Sequence, residues 1–563
     1  MRFHKHLLLW SSLGTLLVLG WAAYAENFRA EWRRVQAAAR SRLPRAEAAG
    51  FPVELRQIVI PDLGVADRCV SCHVGMAPGE KGLPGDKALA PHPPVVHDPA
   101  TFGCTTCHGG QGRATTAADA HGQVEHWPEP MLPRRYLYAS CGTCHTHLAV
   151  PNAEQLARGR GAFERHDCLA CHRVDGRGGT LRPGGQGGLE GPDLSRAGAR
   201  GWRADWYAHH QRERERAAGG PWRASFSDVP ATDRAAIDVY LASRVAAPGL
   251  VEAKALFHSL GCRGCHAVGG VGGADGPDLT RVGQRDPGQR SWVGVQGEHT
   301  LANWFQQHFR APARVTAGSL MPELGLSEQQ IDGLTFYLFS LRRTSLGDAW
   351  HPRDRVRAEK LGEREFATDG ATLYGTFCAA CHGQGGEGMR YPGLAPFPAI
   401  GNPDFLEIAP DDLIVQTVRS GRPGRRMPAW GEQEGGLRPA EIDAVVRYVR
   451  GLGAVAYKPD GRPPRWARGD PAQGARLYAS ACAGCHGEKG QGGEGPALAN
   501  PVLLRAATDG YLAETVRRGR RGTAMLGFAT PTPTRRALGA GEIEAVVSFI
   551  RTWERAQDRE RKP

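Results

Sequence analysis

Cys69-Val-Ser-Cys72-His73, Cys104-Thr-Thr-Cys107-His108, Cys141-Gly-Thr-Cys144-His145, Cys168-Leu-Ala-Cys171-His172, Cys262-Arg-Gly-Cys265-His266, Cys378-Ala-Ala-Cys381-His382 and Cys482-Ala-Gly-Cys485-His486 use all 14 cysteines of the chain. Two thiols at this spacing add to the vinyl groups of a porphyrin, and the adjacent histidine ligates its iron. Structural zinc is the rival for paired cysteines, but it does not require a histidine directly after each second cysteine. Disulfides within the pairs would close loops too short to constrain the unfolded chain. The expectation is seven covalently bound haems c, each with its motif histidine as proximal iron ligand.

The chain has 563 residues, too many for one core, which points to three to six domains. Its 75 Gly and 40 Pro, against 7% aromatics, suit no large aliphatic core. They suit a mainly α protein of small helical domains in which the porphyrin supplies the apolar area that side chains otherwise would. A formal charge of +12 ordinarily raises nucleic acid as a partner. Two propionate carboxylates on every haem offset that excess internally, and no basic stripe interleaved with aromatics argues for nucleic acid. No H-E-x-x-H zinc site or hydrolytic triad is legible, and no catalytic residue is assigned.

Leu7 to Ala25 form an apolar run behind Arg2 and Lys5, the pattern of a spanning helix or of a secretory signal. Ala23 and Ala25 match an A-x-A cleavage site. Phe28, Trp32 and Val35 nonetheless continue at helical spacing towards Pro44, which favours an uncleaved anchor over residues 1–25 and a juxtamembrane helix over 26–48. Arg29, Arg33 and Arg34 place more positive charge after the run than before it, against the charge rule for a segment exported beyond the membrane. Haem attachment chemistry overrides that count and puts the bulk of the chain in the periplasm of a bacterium, anchored once in the inner membrane.

The motifs are unevenly spaced. Three crowd into Cys69–His145 and define a tri-haem module over residues 49–150; the other four fall one to a domain, over 151–248, 249–345, 346–457 and 458–563. Each of the last four resembles the class I cytochrome c pattern: a helix running into the motif, a Gly-rich loop, a Met-bearing loop and a terminal helix. Gly370-Ala-Thr-Leu-Tyr374 matches Gly474-Ala-Arg-Leu-Tyr478, and Gly191-Pro-Asp-Leu-Ser-Arg196 matches Gly276-Pro-Asp-Leu-Thr-Arg281, as duplication would leave them. Gly383-Gln-Gly-Gly-Glu-Gly388 and Gly490-Gln-Gly-Gly-Glu-Gly495 satisfy the dinucleotide fingerprint G-x-G-x-x-G. Both follow a haem motif, with no βαβ unit around them, and read as tight loops beside a porphyrin.

The sixth ligand decides whether a haem carries electrons or binds substrate. Only seven methionines exist. Met321, Met427 and Met525 stand at the expected place in the last three repeats and are assigned as ligands there, with Met389 a minor competitor to Met427. The fourth repeat has no methionine between Met131 and Met321; Ala204-Asp-Trp-Tyr-Ala-His209-His210 aligns without gaps on Ala302-Asn-Trp-Phe-Gln-Gln-His308, setting Arg223 opposite Met321. His209, which has no counterpart in the next repeat, is the candidate ligand, and an open iron is the alternative. Beside the first three motifs lie His92, His97, His121, His126 and His147, which shifts expectation to bis-histidine coordination, with Met76 and Met131 as substitutes and His166 available to a neighbouring haem. Which histidine serves which iron is not deducible from order alone.

In residues 20–150, the run Asp67-Arg-Cys-Val-Ser-Cys-His-Val-Gly75, Pro91-His-Pro93, His97, Gly103-Cys-Thr-Thr-Cys-His-Gly-Gly-Gln-Gly-Arg-Ala-Thr115, Ala120-His-Gly122 and His126-Trp127 resembles membrane-anchored multihaem cytochromes c of bacterial respiratory chains. The resemblance implies an uncleaved anchor, electron transfer, His92, His97, His121 and His126 as candidate ligands, and redox protein partners such as a cytochrome b-type quinol-oxidising complex and a downstream acceptor. Lower-potential bis-histidine haems near the membrane would feed higher-potential His/Met haems. The alternative is a periplasmic oxidoreductase acting on a small molecule at an open fourth haem, with Arg223 stabilising an anion there.

Overall fold

The computed structural model describes residues 2–560 except Lys81, Gln123, 125–129, 148–149, 180–190, 201–227 and 343–345. Helices dominate. Among the described residues, β structure is confined to three antiparallel pairs of two or three residues, Ile58–Ile60 with Val65–Asp67, Arg173–Val174 with Arg177–Gly178, and Ala267–Val268 with Val271–Gly272, besides isolated bridges.

The N-terminal helix Arg2–Phe28 is long and apolar enough to cross a membrane, and its leucines and tryptophans stand exposed. The sequence pattern runs unbroken into the next segment, whereas the structure interrupts it: the helix stops at Phe28 and a second starts at Glu31, running to Arg40. That second helix is amphipathic and buries Trp32, Gln36 and Ala39. Its Gln36 Nε2 donates to the Glu54 and Ser71 carbonyls, both at 2.8 Å, and Ser71 belongs to the first haem motif. This second helix is thereby fastened directly to the first C-x-x-C-H segment.

Each of the last four repeats pairs the helix that enters the motif with the repeat's final helix: Ala153–Arg165 with Ala231–Ala242, Leu250–Ser259 with Glu328–Ser340, Gly370–Phe377 with Pro439–Leu452, and Pro471–Ala481 with Ala540–Glu560. The repeated glycine has a packing reason. A Cβ on Gly159, Gly370 or Gly474 would sit 2.1, 2.3 or 2.0 Å from the carbonyl oxygen of Ala236, Ala444 or Ala545 on the partner helix, so only glycine permits the crossing. The tyrosine four residues on has its own task in the last two repeats: Tyr374 and Tyr478 donate to the Gly383 and Gly487 carbonyls, both at 2.7 Å, pinning the turn that follows each motif histidine.

The tri-haem module does not stand apart. Leu132, Tyr136 and Ala139 belong to the same apolar core as Phe257, Phe305 and Leu334 of the haem 5 repeat, and Tyr136 donates to Asp332 Oδ1 at 2.5 Å. Val150 and Leu156 share a second core with Leu250 and Ala255.

Candidate haem sites

In the tri-haem module each motif histidine has another histidine opposite it. Ring centroids lie 6.4 Å apart for His73 and His121, 6.2 Å for His108 and His92, and 6.3 Å for His145 and His97. An iron held about 2 Å from each ligating nitrogen, with the ring centre about 1.1 Å further on, requires roughly 6.2 Å between centroids. All three pairs have that gap. Burial, more than any neighbouring charge, holds His73, His108 and His97 below the ordinary imidazole range, which keeps a lone pair available for metal. His92 Nδ1 is 2.7 Å from the Pro93 carbonyl oxygen; it can only donate there, which leaves Nε2 to ligate.

The pairing crosses the chain order, since His121 meets the first motif while His92 and His97 precede the motifs they face. His126 and His209, with Arg223, lie outside the described residues. The Thr146 hydroxyl lies 2.9 Å from His147 Nδ1, and His166 Nε2 lies 2.9 Å from the Asp233 carboxylate. Met131 is more than one-third exposed.

The attachment turns of the module are packed on one another. The fully buried Asp67 carboxylate accepts from Cys104 N at 2.5 Å, Thr105 N at 2.9 Å and Thr105 Oγ1 at 2.7 Å, so a residue just before the first motif caps the second. The Cys69 and Cys104 side chains are close neighbours. Cys265 and Cys381 are likewise close neighbours across the boundary between repeats, where a Cβ on Gly261 would be 2.8 Å from Ala380 N.

In the last four repeats the proximal histidines share one device. The Nδ1 atoms of His172, His266, His382 and His486 lie 2.9, 2.8, 2.9 and 2.8 Å from the carbonyl oxygens of Pro192, Pro277, Pro398 and Pro496. A carbonyl can only accept, so Nδ1 carries the proton and Nε2 is left for iron. The duplicated Gly-Pro-Asp segment is now explained. A Cβ on Gly191 or Gly276 would lie 2.4 or 2.3 Å from the motif imidazole, the proline carbonyl orients the ring, and Asp193 or Asp278 closes the turn by accepting from Ser195 N or Thr280 N. The repeat was visible in the sequence; its role required the fold.

A cavity of about 1150 Å³ lies against His266. Met321, Trp304, His308 and Arg290 line it from its own repeat, and Tyr391, Phe397 and Arg426 line it from the next. Arg290 is half-buried there, its Nε and Nη2 without hydrogen-bond partners and its guanidinium over the Trp304 ring at 4.2 Å, and burial pushes it down to about 10. A partly buried cation is costly without an anion; the carboxylates of a haem fit that requirement. Met427 and Met525 occupy equivalent loops, their carbonyls accepting from Arg422 N at 2.8 Å and Arg520 N at 2.7 Å, and both pack on the core of their repeat. The Met389 carbonyl accepts from Phe397 N at 2.9 Å. The two fingerprint-like glycine loops follow the short helices Ala379–His382 and Ala483–His486, with no strand before them.

Residues 365–449 match the family described as cytochrome c oxidase, cbb3-type, subunit III, and residues 250–342 and 471–554 match the family described as cytochrome c. The chain is 37% identical over 163 residues to the cbb3-type cytochrome c oxidase subunit FixP of Bradyrhizobium sp. strain ORS 278, covering 27% of this chain and 51% of that protein. It is 28% identical over 193 residues to subunit CcoP of Rhodobacter capsulatus, covering 32% and 60%. It thus spans about half to three-fifths of the length of these curated relatives. The solved thiosulfate dehydrogenase TsdBA of Marichromatium purpuratum is 18% identical, aligned over 70% of this chain and 90% of that one, with a TM-score of 0.17, too low for a shared overall arrangement.

Proposed function

We propose that this membrane-anchored multihaem c-type cytochrome, with its tandem cytochrome c domains, carries electrons through seven haems on the periplasmic side of a bacterial inner membrane. The observation that supports this most directly is the trio of opposed histidine pairs at 6.2–6.4 Å, matched by a methionine on the loop of each of the last three repeats. Each haem, when bound, supplies a one-electron iron centre; the protein supplies the ligands that order their potentials. Two imidazoles favour a lower potential and a thioether a higher one, so electrons run from the module fastened to the membrane helix towards the C-terminal repeats. The ligands assigned are His121, His92 and His97 for haems 1 to 3 and Met321, Met427 and Met525 for haems 5 to 7. His209 is assigned to haem 4.

The donor is read as a quinol-oxidising complex of the cytochrome b type. The matched relatives are named as subunits of cbb3-type oxidases, which makes a terminal oxidase a fitting acceptor. Haem content by pyridine haemochrome and a potentiometric titration of the purified full chain test this. Seven haems per chain, with about three titrating well below the Met-ligated group, are expected. A single unresolved potential for all haems, or failure of a quinol-oxidising complex to reduce them, refutes it.

A further inference from the structure

Where the spanning helix ends against the tri-haem module lies a second cavity, of about 610 Å³. That volume suits a small ligand or head group. Among the described residues, no motif cysteine and none of the paired histidines lines it, which sets it apart from the haem sites. Glu26 lines it from the spanning helix, Arg68 from just before the first motif, and Arg113 and Asp119 from the segment after the second. Glu26 is the first residue beyond the apolar run Leu7–Ala25, and Trp21, Tyr24 and Phe28 stand exposed in the flanking turns, as aromatics do where a helix leaves the hydrocarbon. The cavity therefore lies at head-group depth. Its walls are set by the fold: Arg68 N donates to the Gly112 carbonyl at 2.6 Å, Gln111 N to the Ala120 carbonyl at 3.0 Å, and Arg68 Nη1 to the Arg113 carbonyl at 2.9 Å. A Cβ on Gly112 would meet the Asp67 carboxylate at 2.0 Å, so loop and motif are pressed together. The Arg68 Nε atom is buried without a hydrogen-bond partner. Asp119 Oδ2 accepts from the Thr116 hydroxyl at 2.8 Å, which holds that carboxylate in place. Two guanidiniums and two carboxylates thus border one hollow, and an occupant carrying charges of both signs satisfies them together.

We propose that this cavity binds the head group of a zwitterionic phospholipid, bearing one phosphodiester and one primary ammonium, from the membrane leaflet on the module's side. The phosphate takes the Arg68 and Arg113 guanidiniums, and Arg68 Nε supplies a donor the protein itself leaves unmet. The ammonium takes the Glu26 and Asp119 carboxylates. A choline head group has no N–H to donate and a glycerol head group has no cation, so the site discriminates against both. The acyl chains stay in the hydrocarbon beside the spanning helix. Because Glu26 belongs to that helix and the other three residues to the module, one bound lipid braces the module at a fixed height on the membrane.

The site is independent of the haem order proposed above, and its test reads lipid, not electrons. Full-length haem-loaded wild-type, Glu26→Gln and Arg113→Gln proteins are equilibrated in nanodiscs of equal parts phosphatidylethanolamine, phosphatidylcholine and phosphatidylglycerol. The lipid each retains on release is counted by native mass spectrometry. Wild type is expected to keep one phosphatidylethanolamine per chain and each variant about tenfold less, the loss of one charge-assisted hydrogen bond. Both side chains are exposed, so haem content and helical circular dichroism of the variants should match wild type. No retained lipid, equal retention of the three lipids, or retention unchanged in either variant overturns the proposal. Displacement of the lipid by inorganic phosphate alone overturns it too, since that assigns the site to a soluble anion.

Discussion

Glu365 joins three parts of the protein, and replacing it with glutamine tests how the repeats are held together. Its carboxylate accepts from Lys254 Nζ at 3.0 Å and pairs with the Arg263 guanidinium. Lys254 is 4% exposed and Arg263 0%, and Lys254 also donates to the Thr146 carbonyl at 2.9 Å, one residue past the third motif. The carboxylate thus comes from the haem 6 repeat, both cations from the haem 5 repeat, and Arg263 lies inside the haem 5 motif itself. The two cations hold Glu365 far below the ordinary carboxylate range, outweighing the burial that would raise it. Removing the charge leaves two buried cations sharing no anion, a loss of about 3–5 kcal/mol for a broken buried pair. An exposed pair such as Arg517 with Glu514 contributes roughly 0–1 kcal/mol after solvent screening, so Glu514→Gln is the control. Guanidinium unfolding of the haem-loaded chain, followed by tryptophan fluorescence and by the haem Soret band, resolves the transition of the joined repeats, since a chain of this size is not two-state as a whole. Susceptibility of the 343–365 junction to limited proteolysis is read in parallel. A Glu365→Gln protein that unfolds within about 1 kcal/mol of wild type, with an unchanged cleavage rate, refutes the view that this dry triad locks the repeats.

Replacing His92, His97 or His121 with alanine should each expose one iron, read as one additional equivalent of carbon monoxide bound by the ferrous protein, while His147→Ala should add none. Asp67→Ala strands the Cys104 and Thr105 amides and the Thr105 hydroxyl; each unmet buried donor costs about 1–3 kcal/mol, and a lowered melting transition of the haem 1 to 3 module, followed by its Soret circular dichroism, measures it. Gly276→Ala forces a methyl group to within 2.3 Å of the His266 ring and should reduce haem incorporation by one per chain, counted by pyridine haemochrome. Glu542, at the start of the last helix, is held down to about 2 by Arg536 and the Gly539 N–H. Its folded value lies below its unfolded one, so its contribution is fully present above about pH 4.5 and is lost as pH falls towards 2. Helical circular dichroism melts across that window should show the loss, and Glu542→Gln should flatten it.

The sequence by itself marks the C-x-x-C-H segments as haem-attachment candidates, because attachment and proximal ligation are local chemistry confined to five consecutive residues. It also determined the helical class and the four C-terminal repeats, since duplicated segments such as Gly370-Ala-Thr-Leu-Tyr and Gly474-Ala-Arg-Leu-Tyr carry their packing role in the residues themselves. The run from Leu7 to Ala25 marked the membrane helix for the same local reason, although the break after Phe28 was not legible. Tertiary structure alone decided which histidine faces which motif. His121 reaches back to His73 while His92 and His97 reach forward to His108 and His145, and no rule of spacing orders such crossed pairs. It decided as well that Asp67 caps the second motif rather than its own, that Tyr136 completes the core of a repeat more than a hundred residues later, and that Glu365 neutralises cations of another repeat. These are contacts between surfaces distant in sequence. They are specified by complementary burial and charge once the elements have packed, not by any pattern a short window of residues contains.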